Sequence, residues 1–230
     1  YESGLKHWVS IRQTGQYPSN ESAGEEPIIF HQPPNCVLEW STSIESGICM
    51  ANVCEDWVPE SFWRKAYNLS SGEGYRLTAW EQTDMLMEPF GITLKDLFDA
   101  NMIAQYNFHG HYFSDGKDLD DILHFRCIPA DEYWGGVVDE MRRMAANPMI
   151  RAMFPTAEQM KEHNIEIGHK EGGTYWALEN NKEDWIKAFF GSREKRDAIK
   201  SWDEGYELFH PSEEATYLDH GYDEEKGLEN

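Results

Sequence analysis

Hydrophobic and polar residues alternate along two arms in the middle of the chain, within residues 106–128. The alternating apolar residues are Tyr106, Phe108 and Tyr112 in the first arm, and Leu123, Phe125 and Cys127 in the second. A period of two is typical of β-strands that bury one face. The acidic residues 114–120 between the arms favour an exposed turn. The pattern therefore predicts a β-hairpin.

The period changes to 3.6 after this stretch, which indicates helices. Apolar residues recur at helical spacing from Asp131 to Ala146, and Pro148 interrupts the pattern because proline cannot continue the hydrogen-bond ladder. A shorter helical turn to Phe154 is predicted next. Thr156 and Gln159 then form a capping-box pattern that predicts a helix to about His163.

The remaining elements are predicted from apolar runs, capping residues and turn residues. Thr93 with Asp96 predicts the start of a helix, and Gly191 and Ser192 predict the end of one helix and the cap of the next. The predicted strands are 5–12, 36–41, 48–54, 75–82, 165–169 and 174–179, and the other predicted helices are 59–67, 94–104, the one after Asn181, and one through Ile199, Trp202, Tyr206 and Phe209.

These elements predict an α+β protein, with an antiparallel sheet and helices packed on one side. Their order from Asp121 to Phe209 loosely resembles the ferredoxin-like α+β barrel family. The resemblance rests on element order alone, and it implies a dimer that encloses an apolar pocket. We expect one intertwined domain over residues 1–210, with a subdivision near 83–93 as the alternative, followed by an acidic tail at 211–230.

The formal net charge of −22 narrows the classes of partner that the sequence favours. It argues against nucleic acid and against anionic membrane surfaces, which both need Lys and Arg. The charge serves solubility, or it attracts a basic partner. Four cysteines allow disulfides in three connectivities, but a chain of this size does not need them, and reduced thiols are favoured. A cytoplasmic location is accordingly favoured over a secreted one.

Three histidines of the predicted hairpin are the candidate catalytic and metal-ligating residues. His109 and His111 share one strand face, and His124 lies on the neighbouring strand. Three imidazoles from a sheet suit a transition metal such as Zn or Fe, and leave positions open for water or substrate. The pattern departs from that of cupins because no Glu follows His111 at the usual interval. The alternative is that these are partly exposed sheet residues, or histidines that hydrogen-bond to neighbouring carboxylates. His163 and His169 are further candidates for the place of His124.

Four aromatic residues are predicted to line a substrate pocket: Trp57, Trp63, Tyr112 and Trp134. The first functional hypothesis is an enzyme that acts on a small, perhaps aromatic, molecule through a His-bound metal, as a lyase, hydrolase or oxygenase. The second is a non-catalytic binding protein, a homodimer or an acidic subunit of a complex. The third is a metal-free α+β barrel enzyme with a His general acid or base.

Overall fold

The structure, a computed structural model, describes residues 7–13, 15–17, 27–106 and 112–207. It combines strands and helices, in agreement with the predicted α+β class. The strands are β1 Val9–Arg12, β2 Gly15–Tyr17, β3 Val37–Thr42, β4 Lys65–Asn68 and β5 Arg76–Thr78. Most of the described chain after residue 78 is helical.

The strands form two small sheets in place of the predicted antiparallel sheet. β1 pairs with β4 in parallel, with Ile11 opposite Tyr67. β3 is the middle strand of the second sheet, parallel to β2 and antiparallel to β5. Only one of the three pairings in the described residues is therefore antiparallel.

The helices begin at side-chain caps that the sequence encodes locally. Thr78 with Glu81, Thr93 with Asp96, and Thr156 with Gln159 form capping boxes, so that two orphan backbone N–H groups gain partners at each start. The helices are α1 Ser43–Asn52, α2 Ala79–Met87, α3 Leu94–Leu97, α4 Gly116–Leu123, α5 Ala130–Ala146, α6 Pro148–Met153, α7 Ala157–Gly168, α8 Thr174–Glu179, α9 Glu183–Phe190 and α10 Arg193–Ala198.

Several predicted elements agree with the structure. α5 ends where Pro148 interrupts the pattern, α6 follows at once, and Ser192 caps α10 through the N–H of Lys195.

Two predicted helices differ from the structure. α3 starts at its predicted cap but ends at Leu97, well before Ala104. The helix predicted through Trp202 is absent, because α10 stops at Ala198 and turns follow.

Other short apolar runs form helices where strands were predicted. Residues 48–52 lie in α1, 165–168 lie in α7, and 174–179 form α8. A short apolar run is compatible with a strand or with a buried helix, and its period alone does not distinguish the two. In this protein the three runs pack as parts of helices. The described residues 112–207 contain no strand apart from isolated bridges at Ser201, so they do not show the ferredoxin-like order.

Three hydrophobic clusters form the core of the residues that the structure describes. The first combines Phe30 with Ile92, Leu97 and Ile167, so both halves of the chain contribute to it. The second lies around α1, β4 and α4, and the third around α9. Trp202 packs against the first and the third cluster. Among the described residues, no helix has the length and apolar character needed to cross a membrane.

Candidate functional site

The predicted hairpin is wrong in its second arm. Residues 116–123 form α4, in which Leu119 and Leu123 are fully buried at helical i, i+4 spacing. His124 follows as the C-cap residue with φ of 50°, and its exposed ring stacks on Trp57 at 6.0 Å between centroids. No neighbouring strand therefore carries His124.

His109 and His111 lie outside the described residues, so the structure does not place them beside His124. Within the part of the chain that is described, no group of three or more His, Cys, Asp or Glu side chains has an arrangement that could hold a metal ion. Metal binding by the three histidines stays a prediction. Elemental analysis of protein purified without chelators or affinity tags tests it.

Carboxylates replace a β-ladder in the segment that follows α4. Asp120 Oδ1 accepts hydrogen bonds from the backbone N–H groups of Phe125 and Arg126 at 3.0 and 2.9 Å. Glu45 Oε1 accepts those of Cys127 and Ile128 at 2.7 and 2.9 Å. These four N–H groups are satisfied without a partner strand, which explains how alternating residues avoid a sheet.

A buried charged centre made of Glu39, Ser70, Arg76 and Arg126 fixes the two ends of residues 112–126. Glu39 is 1% exposed, and its carboxylate accepts from Ser70 Oγ, from Arg76 Nε at 2.9 Å and from the Phe113 N–H at 3.2 Å. Arg126 donates to Ser70 Oγ at 3.0 Å and to the carbonyls of Ser70 and Gly116. Buried charges require such pairing.

This centre holds structure together and leaves little space for a ligand. A Cβ at Gly116 would lie 2.8 Å from Ser70 Oγ and 3.5 Å from Glu39 Oε1. Ser70 and Glu39 are both buried, so neither is offered to a substrate from solvent. The centre supports Tyr112, whose exposed ring lies 4.3 Å from the Arg76 guanidinium carbon.

The four predicted pocket aromatics have different surroundings. Trp57 is half-exposed beside His124, and Trp63 packs edge-on against His7 and Phe62. Tyr112 covers Arg76, and Trp134 is buried beside Tyr75 and Tyr133. These contacts give each ring its own neighbours and do not assemble one pocket wall.

The most exposed large apolar side chains of the described residues lie on α6. Met149 is 73% exposed and Met153 is 80% exposed, and they are one helical turn apart. Ala152 and Arg151 are also exposed, but Arg151 is two residues from each methionine and so lies on the other side of the helix, where its guanidinium is over Phe90. We call Met149, Ala152 and Met153 the docking face.

The ends of α6 explain why the docking face stays outward. The Asn147 side chain accepts from the N–H groups of Met149 and Ile150, and Pro148 is compatible with the first helical turn. Pro155 follows the helix. The inward residue Phe154 stacks on Phe90 with ring centroids 3.8 Å apart. Caps and this stacking, rather than burial of the methionines, stabilise the helix.

The sequence around α6 is basic in an otherwise acidic chain. Residues 141–157 contain three arginines and no Asp or Glu. Arg142 and Arg143 pair with Asp139 and Glu140 on α5, and these exposed pairs are weak and exchangeable. The Arg151 guanidinium carbon lies 5.7 Å from the Phe90 ring centroid, and no ion pair of Arg151 is found in the described part of the chain.

Sequence reasoning identified α6 only as a short helix and missed its exposed methionines. The available signal was a six-residue helix between Pro148 and Pro155 with Met at i and i+4. No protein-family model matches the chain, and no significant similarity to a curated protein or to a solved structure is found.

Proposed function

We propose that the protein is a non-catalytic interaction subunit that binds another protein through the docking face. The observation that carries the proposal is the exposure of Met149 and Met153 on a helix that Asn147 caps at its start and that Phe154, stacked on Phe90, follows at its end. Methionine is flexible and polarisable, and it is common on surfaces that adapt to a partner helix or peptide. Two such residues outside the core indicate a contact that a partner completes.

The size of the face indicates a reversible contact. Full burial of a methionine side chain contributes about 1.5–3 kcal/mol. The two methionines together therefore contribute about 3–6 kcal/mol before the entropic cost of association, so the face alone supports only weak, transient binding, about millimolar or weaker. A helix that is already formed lowers that cost because little ordering is needed on this side.

The charges specify the partner's chemistry. The three arginines of residues 141–157, with no Asp or Glu among them, favour a partner segment that combines apolar anchors with Asp or Glu. A basic segment would be repelled locally. Such complementarity raises the association rate and makes binding depend on salt.

The test is site-specific photocrosslinking from position 152 in the native host, followed by reconstitution with the purified crosslinked protein. We expect binding in titration calorimetry that weakens at high salt. Binding should be lost when Met149→Gln and Met153→Gln are combined. Met50→Gln is the matched control, because Met50 is also exposed, at 47%, but lies on α1. Equal binding by the double variant and the control would contradict the proposal.

A further inference from the structure

The methionines of this chain differ widely in their access to water. All nine lie within the described residues, and three of them are exposed. Met149 and Met153 are 73% and 80% exposed, and Met50 on α1 is 47% exposed. Met102, by contrast, is fully buried in the first core cluster. A reagent that reaches thioethers from solvent therefore meets those of the docking face first.

We infer that Met149 and Met153 form an oxidation site, at which hydrogen peroxide turns the docking face from apolar to polar without unfolding the protein. In each reaction the thioether sulfur attacks one oxygen of the peroxide, and the O–O bond breaks. The sulfur keeps that oxygen and is oxidised by two electrons. The second oxygen leaves as hydroxide and takes up the proton of the first, so the peroxide is reduced to water. The product is a polar methionine sulfoxide.

The geometry of α6 brings the two sulfoxides to one surface. Residues four apart in a helix lie one turn from each other, about 5.4 Å along the axis, on the same side. Ala152, which is also exposed, carries only a methyl group between them. Oxidation of the pair therefore places two polar groups on a face that is apolar in the reduced protein.

The fold does not depend on the two exposed thioethers. Neither Met149 nor Met153 belongs to any of the three core clusters of the described residues. The helix begins at the Asn147 cap, and Phe154 after its end stacks on Phe90. A sulfoxide in the core would instead bury a polar group, which is costly. Oxidation at this pair thus changes the surface and leaves the packing of the protein intact.

The consequence for a partner rests on the proposed function. An apolar anchor that meets a sulfoxide must remove a polar group from water, so the oxidised protein should bind its partner at least about tenfold more weakly. Methionine sulfoxide reductases restore the thioether, with thiols as the source of electrons and the oxygen released as water. The contact is then lost under oxidising conditions and regained afterwards.

The experiment treats the full chain with a low dose of hydrogen peroxide and follows the sulfoxide at each methionine by peptide mass mapping. We expect Met149 and Met153 to be oxidised faster than Met50, and at least about tenfold faster than Met102. The oxidised protein should elute earlier from a hydrophobic-interaction column. Its Tm should change by less than about 2 °C, as for a change away from the core.

Two variants assign the change in elution to the docking face. Met149→Leu combined with Met153→Leu keeps the face apolar but removes its thioethers, so peroxide should produce only a small part of the wild-type change. Met50→Leu is the matched control and should show nearly all of it. Both variants should elute close to the untreated wild type before peroxide is added.

The inference is overturned if Met149 and Met153 are oxidised no faster than Met50, if peroxide changes the elution of the two variants equally, or if oxidation of the pair lowers the Tm by more than the stated limit. If the sulfoxides form as expected but a crosslinked partner binds with unchanged affinity, the oxidation site stands and the proposed function fails. Slow oxidation of the pair, with binding still lost in the double Gln variant, has the opposite meaning.

Discussion

Individual residues of this protein differ most in what surrounds their polar groups. Glu39 and Glu73 both contact Arg76, at 2.9 and 3.4 Å, yet Glu39 is buried and Glu73 is 85% exposed at its side chain. The exposed carboxylate of Glu73 is screened by water, whereas the buried carboxylate of Glu39 is out of water and depends on its hydrogen-bond donors. The same type of contact therefore differs greatly in free energy at these two positions.

This difference gives the first prediction. Glu39→Gln should lower the free energy of unfolding by about 1.5–3 kcal/mol, because Arg76, Ser70 and the Phe113 N–H lose a buried charged acceptor. The matched control Glu73→Gln should change it by less than about 0.5 kcal/mol. Urea titration measures both. Equal effects of the two substitutions would show that the centre is open to water.

The cysteines give the second prediction, since all four are free thiols in the described residues. Burial, with a smaller effect of the Asp120 charge, raises the pKa of Cys49 to about 12. The thiolate is the reactive form, so Cys49 should stay unmodified by iodoacetamide at pH 8 while the exposed Cys54 reacts. Peptide mass mapping over time measures this. Rapid modification of Cys49 without denaturant would contradict its burial.

The helices show how capping and composition act at the scale of an element. α5 follows its predicted bounds closely, yet it contains Gly135 and Gly136 in its interior. A Cβ added to Gly136 meets nothing within 4 Å, whereas at Gly168, in the last turn of α7, it would lie 3.0 Å from Tyr175 Cδ2 and 3.2 Å from Met102 Cε. A methyl group added at Gly136 would therefore enter open space, whereas one added at Gly168 would press on Tyr175 and Met102.

We predict that Gly136→Ala raises the free energy of unfolding by about 0.8–1 kcal/mol, because alanine loses less backbone entropy in a helix. Gly168→Ala should lower it, since Tyr175 and Met102 must move to admit the methyl group. Thermal and urea unfolding measure both. A loss of stability from Gly136→Ala would show that this face of α5 is covered.

The start of α3 gives a prediction about pH. The Thr93 hydroxyl, and then the Thr93 N–H, donate to Asp96 and lower the pKa of its carboxyl group. A carboxyl group whose pKa is lowered by folding stabilises the protein above its unfolded pKa, and this contribution is lost as pH falls through the folded pKa. The difference in unfolding free energy between wild type and Asp96→Asn should therefore shrink in acid. A difference independent of pH would contradict the capping role.

At the scale of the whole molecule, Trp202 connects two parts of the core. Its ring packs on the first and third clusters, and its Nε1–H donates to the Phe98 carbonyl at 2.9 Å. The sequence predicted a helix through Trp202. The structure leaves it partly buried, in the turns after α10. Its importance comes from the contacts of the ring.

We predict that Trp202→Ala lowers the free energy of unfolding by about 3 kcal/mol, the lower end for truncation of a large aromatic residue, because the ring is only partly buried. Trp8→Ala is the control, since Trp8 lies directly before β1 and is 49% exposed. Denaturant titration measures both. A cost of less than about 1 kcal/mol for Trp202→Ala would mean that the two clusters do not depend on this contact.

The sequence by itself determined the features that depend on neighbouring residues. The capping boxes at Thr93 and Thr156, the interruption at Pro148 and the end of α9 at Gly191 need only local hydrogen bonds and backbone geometry, so they were readable from the chain. The long apolar stripe of α5 was readable for the same reason, because seventeen residues repeat one period.

Tertiary structure decided the rest. Alternating residues after α4 form no strand, because Asp120 and Glu45 satisfy their N–H groups, and Glu45 is some eighty residues away in the chain. The predicted metal site of His109, His111 and His124 required that strand, because it was to place His124 beside the other two histidines. The exposure of Met149 and Met153 also depends on packing. Phe154, directly after α6, stacks on Phe90 and so fixes which side of the helix faces the core. A sequence period gives the face of a helix, but only distant partners determine which face meets water.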